Sequence, residues 1–252
     1  MRLLVSIVLF TVIEAGIIAA IIAIGRRTNR ITAAPWLDVA VSFLTWIPWV
    51  FAFWLAGFTA LIGCFLGQFA AMQAFCFWHR KVTGYNGPTI ERTLNRLTSR
   101  FDNNFALIAT LPALPAFLLI RFSQLTTYPI LVRTIRLPAY KHAEWVNVSR
   151  QKFGGLVGHD LVWCLYCDWM TGIYALGGEM LRNLESFWCP IRFYPGRKCE
   201  NCKLDFPDIP QWVPPEGTMA DVEAKLVEKY QGRRWNSWWG HPDRAGERNP
   251  PA

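Results

Sequence analysis

Five of the seven cysteines in this 252-residue chain lie between positions 164 and 202: Cys164, Cys167, Cys189, Cys199 and Cys202. Four of them form two Cys-x-x-Cys pairs, Cys164/Cys167 and Cys199/Cys202, separated by 31 residues. Thiolates at this spacing close on one tetrahedral ion, and soft sulfur ligands suit zinc. The expected filling is therefore one zinc on Cys164, Cys167, Cys199 and Cys202, with Cys189 as a fifth candidate. The separation of the pairs is longer than the roughly 15–20 residues of the common paired-knuckle pattern.

A second chemistry open to the same residues is redox. Cys164 and Cys167 then cycle between thiols and a disulfide, passing electrons to a membrane quinone, with Cys199/Cys202 as a relay. A third uses His159, Asp160 and Glu179 as metal ligands or acid–base groups at the bilayer surface. The chain has four His, too few for haem or His-rich di-iron chemistry, and neither a phosphate-binding Gly loop nor a nucleophile elbow. Glu14 stands alone in an apolar run. An intramembrane carboxyl is costly, so it marks either a functional position or a group hydrogen-bonded to a neighbouring helix.

The elements that must position these residues are membrane elements. Hydrophobic residues make up 52% of the chain and charged ones 17%, against about 25% charged in a soluble domain. Thirteen Trp fit a chain with many positions at membrane interfaces. Leu3–Ile24 is long enough for one helical crossing and is followed by the basic segment 25–30. Trp36–Trp78 is 43 residues with a single charge, Asp38, which reads as a helix-start residue. That length is twice a crossing, and a hairpin turning near Gly57 accommodates it; the alternative is an in-plane segment through Pro48 and one long helix. Cys64 and Cys76, inside this stretch, are expected to be inert apolar residues.

Pro88–Phe101 places Ile90, Leu94, Leu97 and Phe101 on one helical face and Arg92, Arg96 and Arg100 elsewhere, the pattern of an amphipathic helix lying on the membrane surface. Residues 105–120 are apolar but interrupted by Pro112 and Pro115, which predicts a short or re-entrant segment. From about Gly154 the character changes: a diluted helix to Met180, a Cys- and Pro-rich stretch, and a short polar helix opened by Thr218 and Asp221.

Residues 1–155 carry 15 Lys/Arg against five acids, concentrated in the loops. Such loops favour the cytoplasmic side and anionic headgroups, which puts the N-terminus outside and the C-terminal module in the reducing cytoplasm, where thiols bind metal. No nucleic-acid recognition motif accompanies the positive charge, so nucleic acid is not an expected partner.

The sequence thus predicts a mainly α, polytopic integral membrane protein with a small cysteine-rich, loop-rich C-terminal module. Its membrane domain is 1–153, with spans 3–24, 36–56 and 58–78, an amphipathic segment 88–101 and a short segment 105–120. The module is 154–252. The expected role is that of an accessory or interaction protein, contacting lipids and a protein partner, with its module held by structural zinc.

Overall fold

The computed structural model describes residues 2–135, 137–150, 153–189, 213–214 and 216–230. It is mainly helical, and among the described residues the only β pairing is an isolated bridge between Ala33 and Asn147. Among the described residues, nine α-helices follow in order: α1 Arg2–Arg27, α2 Trp36–Leu44, α3 Trp46–Thr83, α4 Ile90–Leu97, α5 Arg100–Thr110, α6 Leu114–Thr134, α7 His142–Trp145, α8 His159–Trp188 and α9 Met219–Tyr230. Among the described residues, three stretches are long and apolar enough to cross a membrane: Arg2–Gly25, Trp46–Thr83 and Arg100–Thr134.

The chain divides into two compact units, each discontinuous in sequence: Met1–Pro115 with Lys141–Ile173, and Ala116–Tyr140 with Tyr174–Ala252. The compositional segments 1–153 and 154–252 cut across both, and α8 contributes its first half to one unit and its second half to the other.

In the first unit, α3 is two helical arms. Ala56 (φ −152°, ψ 29°) and Gly57 (φ 62°, ψ −148°) leave helical geometry, and the Gly57 conformation is one that essentially only glycine tolerates. The backbone doubles back there. Trp49 Nε1 donates to Gln68 Oε1 although the two are 19 residues apart. On one straight helix that spacing would separate them by roughly 28 Å. The rings of Trp49 and Phe65 pack with centroids at 4.8 Å, and Phe53 and Phe58 close the turn edge-to-face at 5.3 Å.

Helix α1 packs along the second arm at small residues. A Cβ at Gly67 would lie 2.9 Å from Ile7 O, Phe10 Cβ and Thr11 N. Gly63 faces Ser6 and Ile7 in the same way. Small residues four apart let helix backbones approach in lipid, where packing rather than the hydrophobic effect drives association. Residue numbers rise together along this contact, so α1 and the second arm run parallel. The basic positions at 26–30 and 80–81 therefore follow the same end of the helix pair. Outward-facing Leu4, Val5, Val8, Val12, Trp54, Phe58 and Phe69 are exposed, as lipid-facing residues are.

Gly67→Leu is accordingly expected to destabilise the chain by about 2–3 kcal/mol or more, because the backbone it meets cannot yield as a side chain does. Gly16→Ala, with nothing within 4 Å of the added carbon, is expected to be neutral or slightly stabilising. Unfolding titrations in mixed detergent micelles would check both; equal midpoints for the two variants would refute the close α1–α3 packing.

The expected amphipathic segment is two pieces. Helix α4 ends at Leu97, and α5 begins at Arg100 with its own cap, Asp102 N donating to Ser99 Oγ at 3.0 Å. The segment expected to be short at 105–120 is instead part of a helical stretch that continues to Thr134. Its prolines do not end it: Pro112 lies in a single 3-10 turn, Leu111–Ala113, and Pro115 in the first turn of α6, where an N–H has no partner to lose.

In the second unit, α6 turns polar groups inward. Arg121 and Gln124 are buried, with Arg121 Nη1 donating to Gln124 Oε1 at 2.8 Å. Gly177 of α8 packs closely on Ile120 and Gln124. Asn183, fully buried, donates from Nδ2 to Tyr128 Oη (3.0 Å) and Tyr140 Oη (2.6 Å). Helix α9 is opened by Asp221, whose Oδ2 accepts from Thr218 N (2.7 Å) and Thr218 Oγ1 (2.8 Å); these bonds hold its carboxyl below the usual range.

Candidate functional site

Cys164 and Cys167 lie one turn apart on α8 in the first unit. Cys164 is 7% exposed, whereas Cys167 is open to solvent. Burial, and secondarily the charge of Asp168, push the Cys164 thiol up, so its sulfur is a poor nucleophile at neutral pH. Arg150 Nη1 donates to the Cys167 sulfur at 3.5 Å, and Thr171 Oγ1 lies 3.9 Å from it. Cys189, partly buried, follows the last residue of α8 in the second unit. Cys199 and Cys202 fall outside the described residues. Among the described residues no three His, Cys, Asp or Glu side chains gather as a metal-binding group.

Asp160 caps a different helix from its own. Its Oδ2 accepts from Ile90 N at 2.7 Å and its Oδ1 from Glu91 N at 3.2 Å. Thr89 Oγ1 accepts from Arg92 N at 3.2 Å. Three of the four free N–H groups that open α4 are thereby paired, two of them by a residue some 70 positions away. A carboxylate there also complements the helix dipole. Asp160→Ala leaves two amides without their acceptor and is expected to cost about 1–3 kcal/mol locally. Hydrogen exchange at the amides of residues 90 and 91 is then expected to accelerate tenfold or more; unchanged exchange would refute the cap.

Beside Asp160, a cavity of about 200 Å³ is lined by Gln73, Arg80, Glu91 and His159, among others. His159 Nε2 is 3.0 Å from Gln73 Oε1, within hydrogen-bond reach. Its Nδ1 is 3.8 Å from Glu91 Oε2. The turn before α8 is held by Gly158, whose N–H donates to His79 Nδ1 at 3.3 Å. Gly158 has φ 59° and a Cβ there would stand 3.0 Å from Cys76 O, so both conformation and space require glycine. Glu179 belongs to the second unit, where it accepts from Tyr140 Oη at 3.3 Å and pairs with Arg182 at 3.6 Å.

Two further acids of the first unit, Asp168 and Asp38, hold elements together. Asp168 Oδ2 accepts from Ser149 N (3.1 Å) and Arg150 N (3.3 Å), while its Oδ1 takes Arg150 Nε at 3.0 Å. Asp38, in the first turn of α2, accepts from Trp169 Nε1 at 2.9 Å.

Glu14 is 4% exposed and lies beside the Gln68 side chain, with Oε2 unpartnered. Gln68 is the centre of this node. It accepts from Trp49, and its Nε2 donates to Leu44 O (3.4 Å) and Thr45 O (3.2 Å), where α2 breaks from α3. Gln68 and Trp49 escaped the sequence reading. The one signal was that Gln68 is one of only two amide side chains between Trp36 and Trp78. Comparison with family models, with curated proteins and with solved structures finds no match for this chain.

Proposed function

We propose that this chain is a membrane-embedded accessory protein that acts through interactions, and that its cysteine-rich C-terminal module is held by one structural zinc. The observation that carries the interaction role is the use made of its acidic side chains. Asp38, Asp160, Asp168 and Glu179 each accept hydrogen bonds from another segment. A general acid or base must stand within reach of a substrate proton. These carboxylates are engaged in tying segments together.

The zinc reading rests on the two Cys-x-x-Cys pairs and on the outward position of Cys167. It takes Cys164, Cys167, Cys199 and Cys202 as ligands and Cys189 as the fifth candidate. A bound ion supplies the charge that deprotonates a buried thiol such as Cys164. The cytoplasmic placement of the module, with the N-terminus outside, is supported by the parallel run of α1 and the second arm of α3. That arrangement puts two basic segments at one end, and basic loops favour the cytoplasm.

Elemental analysis of full-length protein purified without chelators tests this. Close to one zinc per chain is expected, lost in Cys199→Ser and Cys202→Ser and retained in Cys64→Ser and Cys76→Ser. Metal-free protein with a reducible Cys164–Cys167 disulfide would replace the zinc reading with a quinone-linked thiol oxidoreductase.

A further inference from the structure

Helix α4 sits between two stretches that can cross a membrane, Trp46–Thr83 and Arg100–Thr134, and so comes where lipid headgroups lie. On it, Arg92 and Arg96 are one turn apart and exposed, and among the described residues neither makes an ion pair. Both line a cleft of about 390 Å³ together with Asn86, Gly87, Pro88 and Thr93. Two acids at the start of α4 are otherwise engaged: Glu91, next to Arg92 in sequence, faces His159, and Asp160 is held by the α4 amides.

Exposed apolar residues follow Arg96 closely in sequence. Leu97, Phe101 and Phe105 are each more than half exposed, and the two Phe rings stack with centroids at 6.0 Å. Two guanidiniums fit the oxygens of a phosphate, and a neighbouring apolar ledge fits acyl chains. A soluble anion has use for the first feature alone. The caps from Asp160 and Thr89 fix α4 to the rest of its unit, so the guanidinium stems are rooted on an ordered helix.

We propose that the Arg92/Arg96 cleft binds the phosphate headgroup of an anionic phospholipid, with its acyl chains along Leu97, Phe101 and Phe105. The site does not depend on the zinc. Because the arginines act through charge and hydrogen bonding at the interface, binding is selective for lipid charge and weakens with salt.

Full-length protein reconstituted in phosphatidylcholine bilayers, probed by electron spin resonance with spin-labelled phosphatidylglycerol and spin-labelled phosphatidylcholine, tests this. The expected result is at least a threefold preference for phosphatidylglycerol at low salt. It is expected to fall to near unity in the Arg92→Gln/Arg96→Gln double variant, to persist in Arg133→Gln, and to withstand millimolar inorganic phosphate. A preference that survives the double variant, or that Arg133→Gln removes equally, would overturn the cleft as the site. Displacement by inorganic phosphate would instead make it a site for a soluble phosphate and overturn the lipid assignment.

Discussion

Replacing Gln68 with Leu is expected to destabilise the chain by about 3 kcal/mol or more, at roughly 1–3 kcal/mol for each of the three part-buried polar groups that lose their Gln68 partner. The reason lies in the break at Thr45, which has φ −128° and ψ −96° between α2 and α3. Leu44 O would ordinarily accept from the N–H four residues on, but residue 48 is proline and has none. Gln68 Nε2 supplies a donor to that carbonyl and to Thr45 O, and its Oε1 takes the Trp49 indole N–H. Broken helices persist inside a membrane only where neighbouring groups satisfy the freed backbone. Leu matches Gln in bulk and restores none of these bonds.

Reversible unfolding of the full chain in mixed micelles checks this. Trp49→Phe removes one of the groups that Gln68→Leu strands, so the double variant is expected to lose about 1 kcal/mol less than the sum of the two single losses. If Gln68→Leu falls within about 0.5 kcal/mol of the parent, within the ordinary range of a surface change, the break is satisfied by something other than Gln68.

Glu14→Leu is expected to move stability the other way, by about 1–3 kcal/mol toward the folded state. Glu14 Oε2 is buried without a partner, and the Gln68 amide beside it keeps its backbone acceptors when Glu14 is removed. The substitution thus deletes an unsatisfied oxygen and adds apolar contact beside Phe10 and Cys64, which belong to the α1–α3 core. The same titration reads the effect. A loss of stability would mean that Oε2 has a partner supplied from outside the chain, and would recast Glu14 as part of a docking or transport surface.

What the sequence by itself determined is what consecutive residues encode. Apolar run length marks the crossing stretches, and 43 residues from Trp36 to Trp78 are too many for one pass. The cap at Asp221 likewise joins residues within one turn of each other. The continuation of the helical stretch from 105 to Thr134 was not legible, because prolines read as interruptions unless the helix register around them is known.

Tertiary structure alone decided the pairings. Gln68 meets Trp49 across a hairpin, and Asp160 meets the start of α4 across some 70 residues; no local period encodes either contact. The cysteine pair shows the physical reason most directly. A three-residue offset brings Cys164 and Cys167 to neighbouring positions on α8, and that much follows from helix geometry. Which of the two is covered depends on what packs against the helix. Cys164 is buried, whereas Cys167 stays open beside Arg150, carried by the loop that Asp168 holds in place.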